Sequence, residues 1–195
     1  MKILNQKKGF DCDHSSVSYE FISDKKISNE AKEFAVKSSH RFKIGRNKLE
    51  ITIPGENYLY DHIQDALLEK YNIPLLIYED YDWWNFLLMF DYDEKLMKGL
   101  ENYDDIGGDH TIHVSKKGQK IELWITVHID YDFFDGESPF DNLEDIFLDI
   151  RQDILNNNFE SLQILKKYCE GTKLSDIKPS SELYKKLISS LDKQW

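Results

Sequence analysis

The chain has 195 residues, 41% hydrophobic and 13% aromatic, enough to bury a full core as one domain and too apolar for an intrinsically disordered protein. Asp and Glu number 36 against 25 Lys and Arg, a formal charge of −11. Long-range electrostatics therefore oppose phosphate backbones and anionic membranes and favour a basic partner, so no nucleic acid is expected.

Residues 1–9 carry lysines and then meet Asp11, Asp13 and His14 where a signal peptide would need an apolar run. The longest apolar runs, such as Phe86 to Phe90, fall far short of the ~20 residues that span a bilayer. Cys12 and Cys169 stand far apart with no Cys-x-x-Cys spacing, as expected of free thiols in a reducing compartment. These features predict a soluble cytoplasmic protein without a membrane partner.

In chain order, Val17 to Ser23 alternates Val17, Tyr19 and Phe21 with Ser18, Glu20 and Ile22, the pattern of a strand with unlike faces. Ser28 ahead of Glu30 and Phe34 predicts an N-capped helix reaching about Ser38. Lys48 to Ile53 alternates again, and Pro54-Gly55 ends it. Tyr58 to Tyr71 has helical spacing at Leu59, Ile63, Ala66 and Leu67 and reads as a crossover helix. Ile73 to Glu79 and Trp84 to Phe90 are short apolar runs around Asp80-Tyr81-Asp82, a buried hairpin. A brief helix is expected over Asp93 to Asn102.

The longest clean alternation is Lys120 to Asp132, with Ile121, Leu123, Ile125, Val127 and Ile129 on one parity and Glu122, Trp124, Thr126, His128 and Asp130 on the other. Asp109 to Val114 is its expected hairpin partner across Lys116-Lys117-Gly118-Gln119. A two-residue turn at Lys117-Gly118 would set His113 opposite Glu122 and Thr111 opposite Trp124. After Pro139 the pattern becomes helical: Leu143, Ile146, Phe147, Ile150, Ile154 and Leu155 form one stripe, and Phe159, Leu162, Leu165 and Tyr168 another. Asn156-Asn157-Asn158 between them can end one helix and start the next. Ser181 to Leu191 is expected as a last helix with Leu183, Leu187 and Leu191 inward. The predicted fold is α+β: one domain with a mainly antiparallel sheet and crossover helices (1–138) and a C-terminal helical extension (139–195) packed on it.

Ile150-Arg151-Gln152-Asp153-Ile154-Leu155 followed by the Asn triplet and Phe159-Glu160-Ser161-Leu162 resembles a helix-turn-helix pairing in a family of uncharacterised bacterial proteins, which reads Leu-Arg-x-Asp-Leu-Leu, a Gly-Asp turn and a Leu-rich helix. Tyr19-Glu20-Phe21, Ser28 at a helix start, and Ser38-Ser39 followed by Arg41 are similar to the same family. Where that family carries a Trp-Gly-Asp segment, Phe42 to Asn47 stands here. The resemblance implies the order of elements and no chemistry.

Candidate chemistry is sparse. Asp11, Asp13 and His14, and His110, His113 and His128 with Asp130, are the two groups that could hold a metal, and with one hairpin histidine they would suit a metal-dependent hydrolase. On the expected register His113 and His128 share a face several residue pairs apart, too far to chelate one ion, so no metal site is assigned. Asp130, Asp132, Asp135, Gly136 and Glu137 have no register that satisfies a helix-loop-helix calcium loop. Neither cysteine has a placed His partner, no Gly-x-Ser-x-Gly occurs, and no phosphate-cradling Gly-rich loop precedes a helix. No cofactor and no catalytic residue is therefore expected.

The most unusual composition is Tyr78-Glu79-Asp80-Tyr81-Asp82-Trp83-Trp84. Such a stretch is most often a hairpin whose tryptophans plug the core. Its functional reading is a surface where aromatic anchors sit beside carboxylates, suited to a basic protein partner. Tyr131, Phe133 and Phe134, flanked by Asp130, Asp132 and Asp135, repeat that composition. The expected partner-binding residues are Asp80, Tyr81, Asp82, Trp83, Asp130, Tyr131, Asp132, Phe133 and Asp135, in a non-catalytic protein-binding module of the inhibitor or immunity type.

Overall fold

The computed structural model describes residues 16–38, 41–54, 58–80, 83–104, 110–128, 143–178 and 181–192. The fold is α+β, with a seven-stranded antiparallel sheet in the order β2-β3-β1-β4-β5-β7-β6. Its strands are β1 (Ser16–Ile22), β2 (Phe42–Ile44), β3 (Lys48–Pro54), β4 (Leu75–Asp80), β5 (Trp83–Asp91), β6 (Thr111–Lys117) and β7 (Lys120–His128). The chain divides into two compact units, 1–85 and 86–195.

In the first unit, β1 lies between β3 and β4 and sorts its side chains as its alternation requires. Tyr19 faces Ile51 and Phe21 faces Leu49 in the core, while Glu20 faces Glu50 and Ser18 faces Thr52 on the reverse side. Helix α1 (Asn29–Ser38) starts where Ser28 Oγ accepts the Ala31 amide at 3.1 Å, which satisfies one of the unpaired donors of the first turn. It buries Ala31 and Ala35, small residues that let a helix lie close to a neighbour. Strand β2 was not expected: three residues are too few to show a period. It forms because residues 45–47 turn the chain back into β3, with the Gly45 amide on the Lys48 carbonyl at 2.7 Å.

The helix expected from Tyr58 starts later, at α2 (Asp61–Asp65), and widens into a π-helix over Ala66–Lys70. The delay has a local cause: the Leu59 amide donates to the Tyr19 hydroxyl at 3.2 Å, so residue 59 is held to the sheet instead of entering a helical turn. The widening is visible in the Tyr71 amide, which reaches back to the Ala66 carbonyl at 3.0 Å. Because β3 and β4 flank the antiparallel β1, this segment is a true crossover.

The second unit repeats the order of the first: strand, helix, edge strand, and a return strand that pairs between the two. Helix α3 (Glu94–Leu100) is capped by Asp93 Oδ1, which accepts the Leu96 amide at 2.8 Å. The β6–β7 hairpin turns through Gly118 and Gln119, with Lys117 opposite Lys120. Gly118 has φ +59, the left-handed value that a two-residue hairpin needs at its first central position. The register therefore differs from the expected one: His113 faces Trp124 and Ser115 faces Glu122. Glycine takes the first turn position, where its φ is needed, and the pairing slips by two while each residue keeps its face.

Helices α4 (Leu143–Leu155), α5 (Glu160–Cys169) and α6 (Glu182–Asp192) follow. The Asn triplet closes α4: Asn157 sits at φ 60, and the Asn158 amide returns to the Asp153 carbonyl at 2.9 Å, a left-handed closure. Asn158 Oδ1 then accepts the Glu160 amide at 3.2 Å and opens α5. Phe147 stacks on Phe86 with ring centres 3.9 Å apart, seating α4 on β5. Two expected core positions differ. Leu155 is exposed at the end of α4 beside the triplet, and the inward stripe of α6 runs through Tyr184 and Leu187, with Leu183 only half-buried.

Candidate partner-binding site

The acidic aromatic stretch spans the end of β4 and the start of β5. Tyr78 is tied into the core, its ring 5.1 Å from that of Tyr19 and stacked on it. Asp80 is the last residue of β4 and Trp83 the first of β5, so the connection between them is two residues long. Trp84 is 4% exposed and opens the apolar run that continues through Phe90. Trp83 points to the other side of the strand and is half-buried. Both faces of β5 are buried from Trp84 to Phe90, so Trp83 keeps its partial exposure because it stands at the start of the strand.

The side chain of Asp80, together with Tyr81 and Asp82, lies outside the described residues. The same holds for the entire second patch, Asp130, Tyr131, Asp132, Phe133 and Asp135, and for Asp11, Asp13 and His14. Within the described residues, Asp80 and Trp83 are brought together by one hairpin.

Of the hairpin histidines, the side chain of His128 lies outside the described residues, and the other two are engaged separately. His110 packs its ring on Tyr168 of α5 at 4.6 Å. His113 Nδ1 lies 3.0 Å from Asp104 Oδ1, and the same oxygen accepts the Val114 amide at 2.7 Å. Asp104 so fastens the segment after α3 to β6. Among the described residues no group of three His, Cys, Asp or Glu side chains gathers as a metal site would require.

Four carboxylates on the strands are paired within the fold. Glu20 and Glu50, directly opposite one another on β1 and β3, are 5% and 8% exposed. Like charges so placed repel, and each has its own ammonium: Lys48 lies 2.9 Å from Glu20 and Lys43 lies 2.7 Å from Glu50. On β7, Glu122 accepts from Ser115 Oγ at 3.2 Å. The Lys120 ammonium, 2.7 Å from Asp91 Oδ1, holds that carboxyl below the usual carboxylate range.

Sequence periodicity gave no sign of a polar cluster joining the C-terminal helices. Tyr184 of α6 donates to Asp153 Oδ2 of α4, and its oxygen accepts from Asn158 Nδ2, both at 2.7 Å. Burial first, then the Asp153 carboxylate, push the Tyr184 phenol above its ordinary range. The signal that could have found it was a tyrosine inside an inward stripe, whose hydroxyl needs a partner when buried.

No helix among the described residues is long and apolar enough to cross a membrane. The sequence matches no protein-family model and none of the curated proteins with which it was compared.

Proposed function

We propose that this chain is a non-catalytic intracellular module that binds a basic protein partner through an acidic, aromatic surface centred on the β4–β5 hairpin. It would act as a small inhibitor or immunity-type protein holds a cationic effector. The observation that carries this reading is the separation of the two tryptophans. Trp84 fills the core, and Trp83, the residue before it at the start of β5, is half-buried. A rigid amphipathic ring that follows Asp80 and Asp82 in sequence, on a protein with formal charge −11, supplies an apolar anchor and a field that attracts cations. The segment Asp130 to Asp135 belongs to the proposed surface by its composition.

The test is co-expression with the product of an adjacent gene encoding a basic effector, followed by co-purification at low and high salt. A complex formed by the wild type and lost in Trp83→Ala is expected. Thermal stabilisation by zinc or manganese that disappears in His14→Ala would instead favour a metal-dependent hydrolase and overturn the proposal.

A further inference from the structure

Strand β2 ends the sheet, and it differs from the bulk of the chain in charge, exposure and backbone. From Phe34 to Leu49 the sequence holds Lys37, Arg41, Lys43, Arg46 and Lys48 and no Asp or Glu, although the formal charge of the whole is −11. Phe42 and Ile44 are 38% and 43% exposed, and Val36, on the α1 helix that packs against β2, is 40% exposed. Phe42 faces Ile51 and Ile44 faces Leu49, so both lie on the core face and continue it past the last strand.

The backbone completes the picture. The Arg41 carbonyl accepts the Thr52 amide at 2.9 Å and the Gly45 amide donates to Lys48 at 2.7 Å. In an antiparallel pair such bonds alternate along the strand, so residues 41, 43 and 45 turn inward to β3. The N–H and C=O groups of Phe42 and Ile44 are directed outward, where no described strand lies. An edge of this kind is a template for another strand.

We propose that β2 is a docking edge for an extended acidic segment of a protein partner, added as a further strand beyond β2. Alternate apolar side chains of that segment would lie against Val36, Phe42 and Ile44, and its carboxylates, on the opposite face, would meet Arg41, since Lys43 already holds Glu50 at 2.7 Å. Main-chain hydrogen bonds give such strand addition its affinity, and side-chain pockets its specificity. The charge selects the occupant. Pairing β2 with the β2 of a second copy would bring two basic runs together, whereas an acidic strand is attracted. A nucleic acid would use the charge but neither the outward amides nor the apolar step. This surface goes beyond the hairpin site and takes a partner segment of the opposite sign.

The test is selection from a random display library of peptides about nine residues long, long enough for one strand, on the whole chain. Enriched peptides should alternate Asp or Glu with Leu, Ile, Val or Phe. Ile44→Pro removes an outward N–H without touching the β2–β3 ladder, a position where proline is tolerated, and should weaken the selected peptides about tenfold or more. Arg41→Glu should weaken them similarly and does not depend on the proline variant folding. Enrichment of basic or uncharged peptides, no enrichment, or equal binding by both variants overturns the proposal. So does dimerisation of the free chain that Ile44→Pro abolishes, which would assign the edge to a second copy, and so does displacement of the peptides by single-stranded DNA that binds Ile44→Pro unchanged.

Discussion

The Tyr184 hydroxyl donates to Asp153 Oδ2 at 2.7 Å, so a side chain of α6 is hydrogen-bonded to one of α4. Tyr184→Phe keeps the ring and its packing and removes that bond, leaving Asp153 and Asn158 short of a partner. A loss of about 1–2 kcal/mol in denaturant unfolding is expected. The folded protein also holds this proton more tightly than the unfolded chain, whose tyrosines titrate near about pH 10. The contribution should therefore be whole below that pH and be lost as pH rises toward the higher folded value. The stability gap between wild type and Tyr184→Phe should narrow in alkali; a gap that stays constant there would contradict the assignment.

Arg151 serves the fold. Its Nε donates to the Met89 carbonyl of β5 at 2.8 Å, and its guanidinium lies 5.3 Å from the Phe90 ring centre. A lysine ammonium has neither the flat stacking surface nor an N–H at that point of the stem. Arg151→Lys should lower the melting temperature by an amount corresponding to about 1 kcal/mol and leave partner binding unchanged. Wild-type melting with lost binding would make Arg151 a contact residue instead.

For the hairpin surface, anchor and field should separate kinetically. Trp83→Ala should raise the dissociation rate of the basic partner by a factor corresponding to roughly 2 kcal/mol or more, whereas Asp80→Asn should mainly slow association. Association should also slow steeply as salt rises. Stopped-flow mixing at several ionic strengths measures both rates, and a salt-independent association rate would remove the electrostatic part of the reading.

Burial pushes the Cys169 thiol up to about 12. Only the thiolate reacts, so at pH values near about 8.5, where an ordinary cysteine is half ionised, this one stays protonated. Iodoacetamide should label Cys169 far more slowly in the native chain than in denaturant, as read by peptide mass spectrometry. Rapid native labelling would show that the last turn of α5 opens readily.

Elements with a long period were legible in the sequence. The β7 alternation as far as His128, the α4 stripe except for Leu155, and the Ser28 cap all depend on neighbours within one element, and each stands where the residues placed it. What was not legible depends on contacts between distant residues. The late start of α2 follows from Tyr19 holding the Leu59 amide, and the α6 face follows from Asp153 and Asn158 drawing Tyr184 inward. Of the candidate site, the burial of Trp84 was legible because that residue opens the apolar run through Phe90. It could not give β2, whose three residues show no period, although the run without acidic residues around it was readable in the sequence.

The place of β1 in the strand order has a consequence for how the chain reaches its fold. The earliest of the described strands in the chain, it lies between β3 and β4, with Tyr19 facing both Ile51 and Tyr78. Neither neighbour exists when β1 is made, and closing such long loops has to precede any gain from the pairing. The β6–β7 hairpin, closed by Gly118 and Gln119, has no such wait. In pulse-labelled hydrogen exchange during refolding, the amides of Ile121 to Val127 should gain protection before those of Tyr19 to Ile22, and the apolar Tyr19–Phe21 face should be the surface that a chaperone meets on the nascent chain.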